Sequence, residues 1–261
     1  MNNTDIVSFR KNGYTVLNDF FNQKLKENLL EWTNELSDME EVKKKYMKYY
    51  EDRNGIRLLS RMEYFLDYHE GFSNFEKKVI RPLVENIFGE EANLFKEKIN
   101  FKLPGGGAFK HHQDHPAWDD FPSKDYINIA IPIDKMTEEN GTLKFASGMG
   151  RNQEIYHNSE RNKIDEKVIN NWKWESVYPK LGDLLIFDSY IPHFSENNKS
   201  NLPRKVYFFT YNKSRDGDYR EDYFKKKREM FPPDIEKEIG KDYTLHGGKY
   251  NLGNPMNVKI N

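Results

Sequence analysis

The stretch "KHHQDHPAW", residues 110–118, sets His111, His112 and His115, three of the chain's seven histidines, around Asp114. In an extended segment alternate side chains share a face, so His112 and Asp114 can offer an imidazole nitrogen and a carboxylate oxygen to one ion. By average residue usage a histidine has an aspartate two places on roughly once in 20 cases, so the pair alone is a weak signal. A third ligand has to come from another part of the chain. His193, in "GDLLIFDSYIPHFSENN", follows a strongly apolar run and sits in a proline-containing turn, where a side chain can project into the mouth of a barrel.

Two histidines and one carboxylate are the facial ligand set of non-haem Fe(II) oxygenases, which leaves coordination positions open for reactants. His111 and His115 then fall outside the set, supporting the ligands or facing solvent. Arg204 lies 11 residues after His193 (204 − 193), at the start of "RKVYFFTYN", so a hairpin return would bring it beside the ion. Its planar guanidinium can grip a carboxylate with two parallel hydrogen bonds. Ser195, two residues past His193, can add a further hydrogen bond. Taken alone, Arg204 reads more readily as half of a salt bridge at the rim.

These residues need a scaffold, and composition bounds it. The chain has 261 residues, 15% of them aromatic, and is expected to form one domain with a core built from rings as much as aliphatics. Forty-one basic against 42 acidic residues give a net charge of −1, which offers no bulk attraction to nucleic acid or membrane. Cysteine is absent, so disulfides and thiolate ligands are excluded and any metal falls to His, Asp or Glu. The opening "MNNTDIVSFRKNGYTVLNDF" lacks an apolar signal-like core, and no apolar run approaches the ~18 residues of a membrane span. A cytoplasmic location is the expectation, as a monomer or homodimer acting on a small molecule.

Along the chain, "YTVL" reads as a strand, and Leu25, Leu29, Trp32 and Leu36 keep helical spacing behind a capping Asn22. The charged run "DMEEVKKKYMKYYEDR" reads as a solvated helix or a mobile excursion. A second amphipathic helix is expected through "FEKKVIRPLVENIFG", stopped by Gly89. Period-two patterns follow in "KINFKLPGGG" and "YINIAIPI", with further strands in "GTLKFA", "GDLLIFD" and "KVYFFTYN". The sequence therefore predicts a helical part over 1–97, a β core over 98–212 and an extension over 213–261. Asn100, Lys102, Tyr126 and Asn128 would point into the barrel; polar residues there favour a ligand cavity over a dry core.

His112-x-Asp114, His193-x-Ser195 and Arg204, set among these strands, resemble the phytanoyl-CoA dioxygenase family of Fe(II)- and 2-oxoglutarate-dependent oxygenases. The opening "FRKNGYTVLNDFF" and the segment "EENGTLKFASGMGR" resemble the corresponding parts of that family. The resemblance implies a mainly β fold with flanking helices, a double-stranded β-helix of the jelly-roll, cupin-like kind. It implies that His112, Asp114 and His193 bind Fe(II), and that Arg204, helped by Ser195, holds the far carboxylate of 2-oxoglutarate, with O2 as the second cosubstrate. By position Lys102, Asn100 and Phe109 would line the cosubstrate pocket.

The expected reaction is hydroxylation of an aliphatic C–H with release of succinate and CO2. Trp118 and the acidic Asp119 and Asp120 would stand at the cavity mouth, where an aromatic face beside carboxylates suits an ammonium group. The tail "KKKREMFPPDIEKEIGKDY" with "NLGNP" is similar to members of the family that hydroxylate 2-aminoethylphosphonate or its trimethylammonium analogue. Lys102, Arg61 and Arg215 are open as receivers of a phosphonate. Two other readings compete. A zinc metallo-hydrolase motif, His-x-His-x-Asp-His, fits residues 110–115 except that Lys110 stands at its first position, and a non-catalytic jelly-roll module would share the fold without the chemistry.

Overall fold

In the computed structural model the described residues are 3–149, 155, 164, 166–170 and 172–243. The motif "NLGNP" and the last two residues of "EENGTLKFASGMGR" lie outside them. Two antiparallel sheets carry the fold. In chain order the strands are β1 (Tyr14–Leu17), β2 (Met47–Arg53), β3 (Ile56–Glu63), β4 (Ala92–Lys102), β5 (Phe109–His112), β6 (Tyr126–Pro132), β7 (Leu143–Ala146), β8 (Trp174–Ser176), β9 (Leu184–Asp188), β10 (His193–Ser195) and β11 (Arg204–Lys213). The larger sheet has the order β1-β9-β6-β11-β4-β3-β2 and the smaller β5-β10-β7-β8. Facing each other, they form a double-stranded β-helix.

Helices α1 (Asn3–Asn12), α2 (Gln23–Asp38), α3 (Glu70–Phe75) and α4 (Arg81–Phe88) precede or interrupt the first strands, while α5 (Glu166–Ile169) and α6 (Arg220–Met230) come later. Asn22 caps α2 by accepting a hydrogen bond from the Leu25 amide at 2.9 Å. Its apolar face is buried through Leu29 and Leu36. The second expected helix is divided: a π-helical stretch, Glu76–Ile80, separates α3 from α4, and Gly89 closes α4 at φ 72°, a conformation that glycine adopts without Cβ strain.

Because the larger sheet is covered on both sides, its strands alternate between two kinds of burial. Ile127, Ile129 and Ile131 of β6 join Ile99, Tyr207 and Leu29 in the core beneath the N-terminal helices. The opposite faces, with Ala130, Leu185, Phe187, Val206 and Phe208, meet Phe145 of the smaller sheet inside the barrel. A third cluster joins Phe95, Trp118 and Tyr126 to Tyr223 and Phe224 of α6 and Phe231 beyond it. The extension thus closes one end of the fold.

The part expected to be helical over 1–97 carries more strands than the expected "YTVL". β1, β2 and β3 all join the larger sheet, and β4 begins at Ala92, before the expected start at 98. The run read as a solvated helix contains β2. Met47 and Tyr49 of that run are buried, Tyr49 stacking on Phe231 at 5.5 Å. Its charges are used locally: Lys48 Nζ donates to the Ser37 carbonyl at 2.9 Å and to the Met39 carbonyl, both at the C-terminal end of α2, where carbonyls lack helical partners. Charge density concealed a strand whose buried cation, Lys48, serves a neighbouring helix end.

Candidate active site

β5 and β10 are neighbours in the smaller sheet, and their register puts His112 directly opposite His193. The two imidazole centroids are 4.2 Å apart. Each ring is oriented by its own backbone: His112 Nδ1 meets the Lys110 carbonyl at 2.6 Å and His193 Nδ1 meets the Ile191 carbonyl at 3.0 Å. With Nδ1–H donating there, Nε2 carries the free lone pair in both rings. Both Nε2 atoms turn toward Asp114, at 3.6 Å from Oδ1 for His112 and 3.9 Å from Oδ2 for His193.

Ligand atoms of His112, Asp114 and His193 lie within 4.8 Å of one another, and among the described residues no other such group is present. One ion about 2.0–2.6 Å from each donor can bridge that spacing. Two neutral nitrogens and one carboxylate oxygen suit a divalent transition metal. Burial, with the neighbouring His112, pushes His193 down to about 4, so at neutral pH it is the uncharged, ligating form. Burial alone would raise the Asp114 carboxyl, but hydrogen bonding to His112 and the charges of His193 and Lys98 hold it well below the ordinary carboxylate range.

Asp114 has a further support, supplied by two other strands. Asn128 Nδ2 donates to Asp114 Oδ2 at 3.1 Å, and Thr210 Oγ1 donates to Asn128 Oδ1 at 2.7 Å. That fixes the amide's orientation and, through it, the carboxylate. The alternation in β6 already marks Asn128 as inward-facing. Its partner could not be named because Thr210 comes from another strand.

The cluster opens on a cavity whose lining includes Asn100, Phe109, Ser195 and Arg204, together with Lys98 and Phe208; Lys102, also expected in the lining, lies outside it because its amine is turned to Ser195 and the Glu196 carbonyl. Arg204 is 1% exposed, and its Nε and one terminal nitrogen have no hydrogen-bonding partner among the described residues. Burial lowers it to about 10, against an opposing influence from Asp134. A buried guanidinium with unpartnered donors has the chemistry to receive a carboxylate. Lys102, opposite Arg204 in the β4–β11 register, donates to Ser195 Oγ at 2.7 Å and to the Glu196 carbonyl. Gly141 (φ 74°) lets the turn before β7 approach: a Cβ there would lie 2.2 Å from the Glu196 carbonyl oxygen and 3.1 Å from Lys102 Nζ.

Two expected mouth residues are elsewhere. Trp118 is 1% exposed and packs edge-on against Phe95 and Tyr126. A 3₁₀ turn, His115–Trp118, with Pro116 near its start, curls the chain inward after Asp114. The cation over the Trp118 ring is Lys96 of the protein, 4.1 Å from the centroid. Asp120 pairs with Lys226 of α6, outside the cavity lining. Among the remaining histidines, His111 lies against Phe194 and Trp174, and His115 is buried on the Tyr190 ring at 4.2 Å. The metallo-hydrolase motif would need His115 as a ligand, and it is not part of the cluster.

Comparison with known proteins agrees with this geometry. Residues 9–206 match the model of the phytanoyl-CoA dioxygenase (PhyH) family. The chain belongs to that family. It is 42% identical over 253 residues to a 2-aminoethylphosphonate dioxygenase from an uncultured bacterium (HF130_AEPn_1), covering 96% of each protein. Against a methylphosphonate hydroxylase of Gimesia maris it is 34% identical over 233 residues, 88% of each. In fold, this family member superposes on EctD from S. alaskensis, solved with 2-oxoglutarate and 5-hydroxyectoine, with a TM-score of 0.70 at 17% identity, over 83% of this chain and 77% of EctD. No helix among the described residues is long and apolar enough to cross a membrane.

Proposed function

We propose that the protein is an Fe(II)- and 2-oxoglutarate-dependent dioxygenase that hydroxylates a small phosphonate, at the carbon next to phosphorus of an aminoethylphosphonate. The observation that carries the chemistry is the convergence of His112 Nε2, His193 Nε2 and Asp114 on one point beside a buried Arg204 with free donors. The substrate class rests on the 42% identity to the 2-aminoethylphosphonate dioxygenase over nearly the whole chain. Succinate and CO2 are the expected coproducts.

His112, Asp114 and His193 would hold the iron, which with 2-oxoglutarate and O2 supplies the oxidising power to replace C–H by C–OH. The other residues bind and orient. Arg204, with Ser195 held by Lys102, takes the far carboxylate of 2-oxoglutarate and sets its angle of approach. Phe187 and Phe208 give the cavity apolar walls that exclude competing water from the reacting carbon. With Asp114 present as a carboxylate ligand, no coordination place is vacated for a halide, which favours hydroxylation over halogenation.

Succinate release tests this reading. Protein supplied with Fe(II), ascorbate, 2-oxoglutarate and O2 is expected to form succinate faster when 2-aminoethylphosphonate or its trimethylammonium analogue is added, with a product heavier by one oxygen. Slow succinate formation that neither phosphonate stimulates would retain the oxygenase and reject the substrate. Zinc-dependent hydrolysis without 2-oxoglutarate would reject both.

A further inference from the structure

The interior face of β4 is a stripe of polar residues at every second position, Lys96, Lys98, Asn100 and Lys102. Three of them have occupations within the protein. Lys96 lies over Trp118, Lys102 is bonded to Ser195 and the Glu196 carbonyl, and Asn100 Oδ1 accepts from Arg61 Nε at 3.0 Å. Lys98 differs. It lines the cavity with Asp114, its Nζ lies 4.9 Å from the Phe208 ring, and among the described residues it makes no hydrogen bond or ion pair.

Lys102, Arg61 and Arg215, the basic residues that the sequence leaves open for a substrate anion, are all engaged. Arg61 is held by Glu63 at 3.1 Å as well as by Asn100, and Arg215, on the surface, pairs with Glu90. Lys102, opposite Arg204, is bonded to Ser195 and the Glu196 carbonyl and is not part of the cavity lining. Lys98 and Arg204 are the two basic side chains in the lining; burial, then the charges of Arg61 and Lys96, draw Lys98 well below the ordinary lysine range, which an anion bound there would offset. The two stand apart: Arg204 is opposite Lys102, whereas Lys98 is opposite Phe208, four residues along both strands. At about 3.3 Å per residue that is about 13 Å of strand. One 2-oxoglutarate carboxylate satisfies Arg204; at the other end Lys98 feels the charge of Asp114, a ligand of the metal cluster, without a hydrogen bond or ion pair to it among the described residues.

We infer that Lys98, with the Asn100 amide beside it, is the receptor for the tetrahedral oxyanion head of the substrate. This rests on the proposed phosphonate chemistry. Because Asn100 Oδ1 is engaged by Arg61, its NH2 group is the part left to donate to the ligand. Arg61 is itself fixed by Glu63, whose other oxygen accepts from Lys227 of α6. A relay from the C-terminal helix through Glu63 and Arg61 therefore holds the amide facing the cavity. Anchoring the oxyanion at Lys98, on the Asp114 side, would leave the adjoining carbon next to the metal cluster.

Anaerobic calorimetry on the full chain reconstituted with Fe(II) tests the receptor without turnover. 2-Oxoglutarate is titrated first, then 2-aminoethylphosphonate into the loaded protein, for wild type, Lys98→Met and Lys98→Arg. Met keeps an apolar stem on Phe208 and removes the charge. The receptor predicts that Lys98→Met weakens phosphonate binding by about 10- to 100-fold, the scale of a lost charge-assisted hydrogen bond. Affinity for 2-oxoglutarate should stay within about threefold, and Lys98→Arg should recover most of the phosphonate affinity. Unchanged phosphonate affinity in Lys98→Met would overturn the receptor alone, as would a loss confined to 2-oxoglutarate. Wild-type protein that binds 2-oxoglutarate but no phosphonate would overturn the proposed function and the receptor with it.

Discussion

His112 and His193 face each other across adjacent antiparallel strands, separated by 81 positions in sequence (193 − 112), with each Nδ1 held by a carbonyl two residues earlier. The ligand geometry is thus built into a β ladder. Metal affinity should be preorganised, since ring orientation is set by backbone bonds before an ion arrives. Replacing either His with Ala is expected to lower bound iron and turnover by at least about 100-fold, because outer supports alone typically contribute 10- to 100-fold. Metal content after reconstitution and gel filtration, read beside the circular dichroism spectrum, checks this. Iron retained at wild-type occupancy by His112→Ala would remove that residue from the ligand set.

Asn128 provides a gentler perturbation of the same centre. Its amide fixes one oxygen of Asp114, and Thr210 fixes the amide. Asn128→Ala is expected to weaken iron binding by about 10- to 100-fold with the fold intact, and Thr210→Val to act in the same direction with a smaller effect. Equilibrium competition with a chelator gives the affinities.

Arg204 gives a prediction in which function and stability diverge. Arg204→Met should raise the KM for 2-oxoglutarate by about 10- to 100-fold, since charge-assisted bonds contribute about 1.5–3 kcal/mol. In the absence of 2-oxoglutarate the same variant should unfold at an equal or higher temperature than wild type, because it removes a buried cation with unsatisfied donors. Arg204→Lys should restore little of the binding, a point charge lacking the two-pronged fork. Thermal scans with and without cosubstrate separate the two effects.

Acid stability is expected to depend on Glu63. Burial would raise its carboxyl, but the charges of Lys227 and Arg61 outweigh that and draw it down to about 2. The ionised form is therefore favoured by folding, and its contribution is complete above the ordinary value near 4.5 and lost as pH falls through about 2. Wild type should exceed Glu63→Gln in stability at pH 6, and the difference should shrink as pH falls from about 4.5 toward 2. Urea denaturation at a series of pH values measures it; a difference that grows on acidification would contradict the assignment.

Trp118 and Asp120, once expected at the mouth, should behave as scaffold. Trp118→Ala is expected to cost about 3–5 kcal/mol of stability, as for other fully buried large side chains. Asp120→Ala removes a half-exposed ion pair and should cost less than about 1 kcal/mol, with no change in substrate KM. Chemical denaturation and steady-state kinetics on the two variants test both statements.

The strands of the β core were legible because each is buried on one face differently from the other. β6 shows it plainly, with isoleucine at every second position from Ile127 and Tyr126, Asn128 and Ala130 between them. β2 was not legible. Its charges suggest solvent, whereas Lys48 caps α2 and Glu51 reaches back to accept from the Gly107 amide at 3.2 Å, partners 9 and more residues away. Trp118 was misplaced for a related reason. Spacing from Asp114 fixes how far a side chain is along the chain, and the 3₁₀ turn decides which way it then points.

What the sequence determined by itself is the donor inventory: two histidines, an aspartate, a serine and an arginine of the right chemical types, on segments whose periodicity made them strand ends. Chemical type and period are local properties, and one chain carries both. Which residues are left free was decided by tertiary structure alone. Lys98, Lys102 and Arg61 are alike in sequence as basic residues of buried strands, yet Ser195 engages one and Glu63 another, while the Lys98 amine is left to the cavity. A side chain's availability depends on which neighbours the fold brings within hydrogen-bonding distance, and those neighbours lie on other strands.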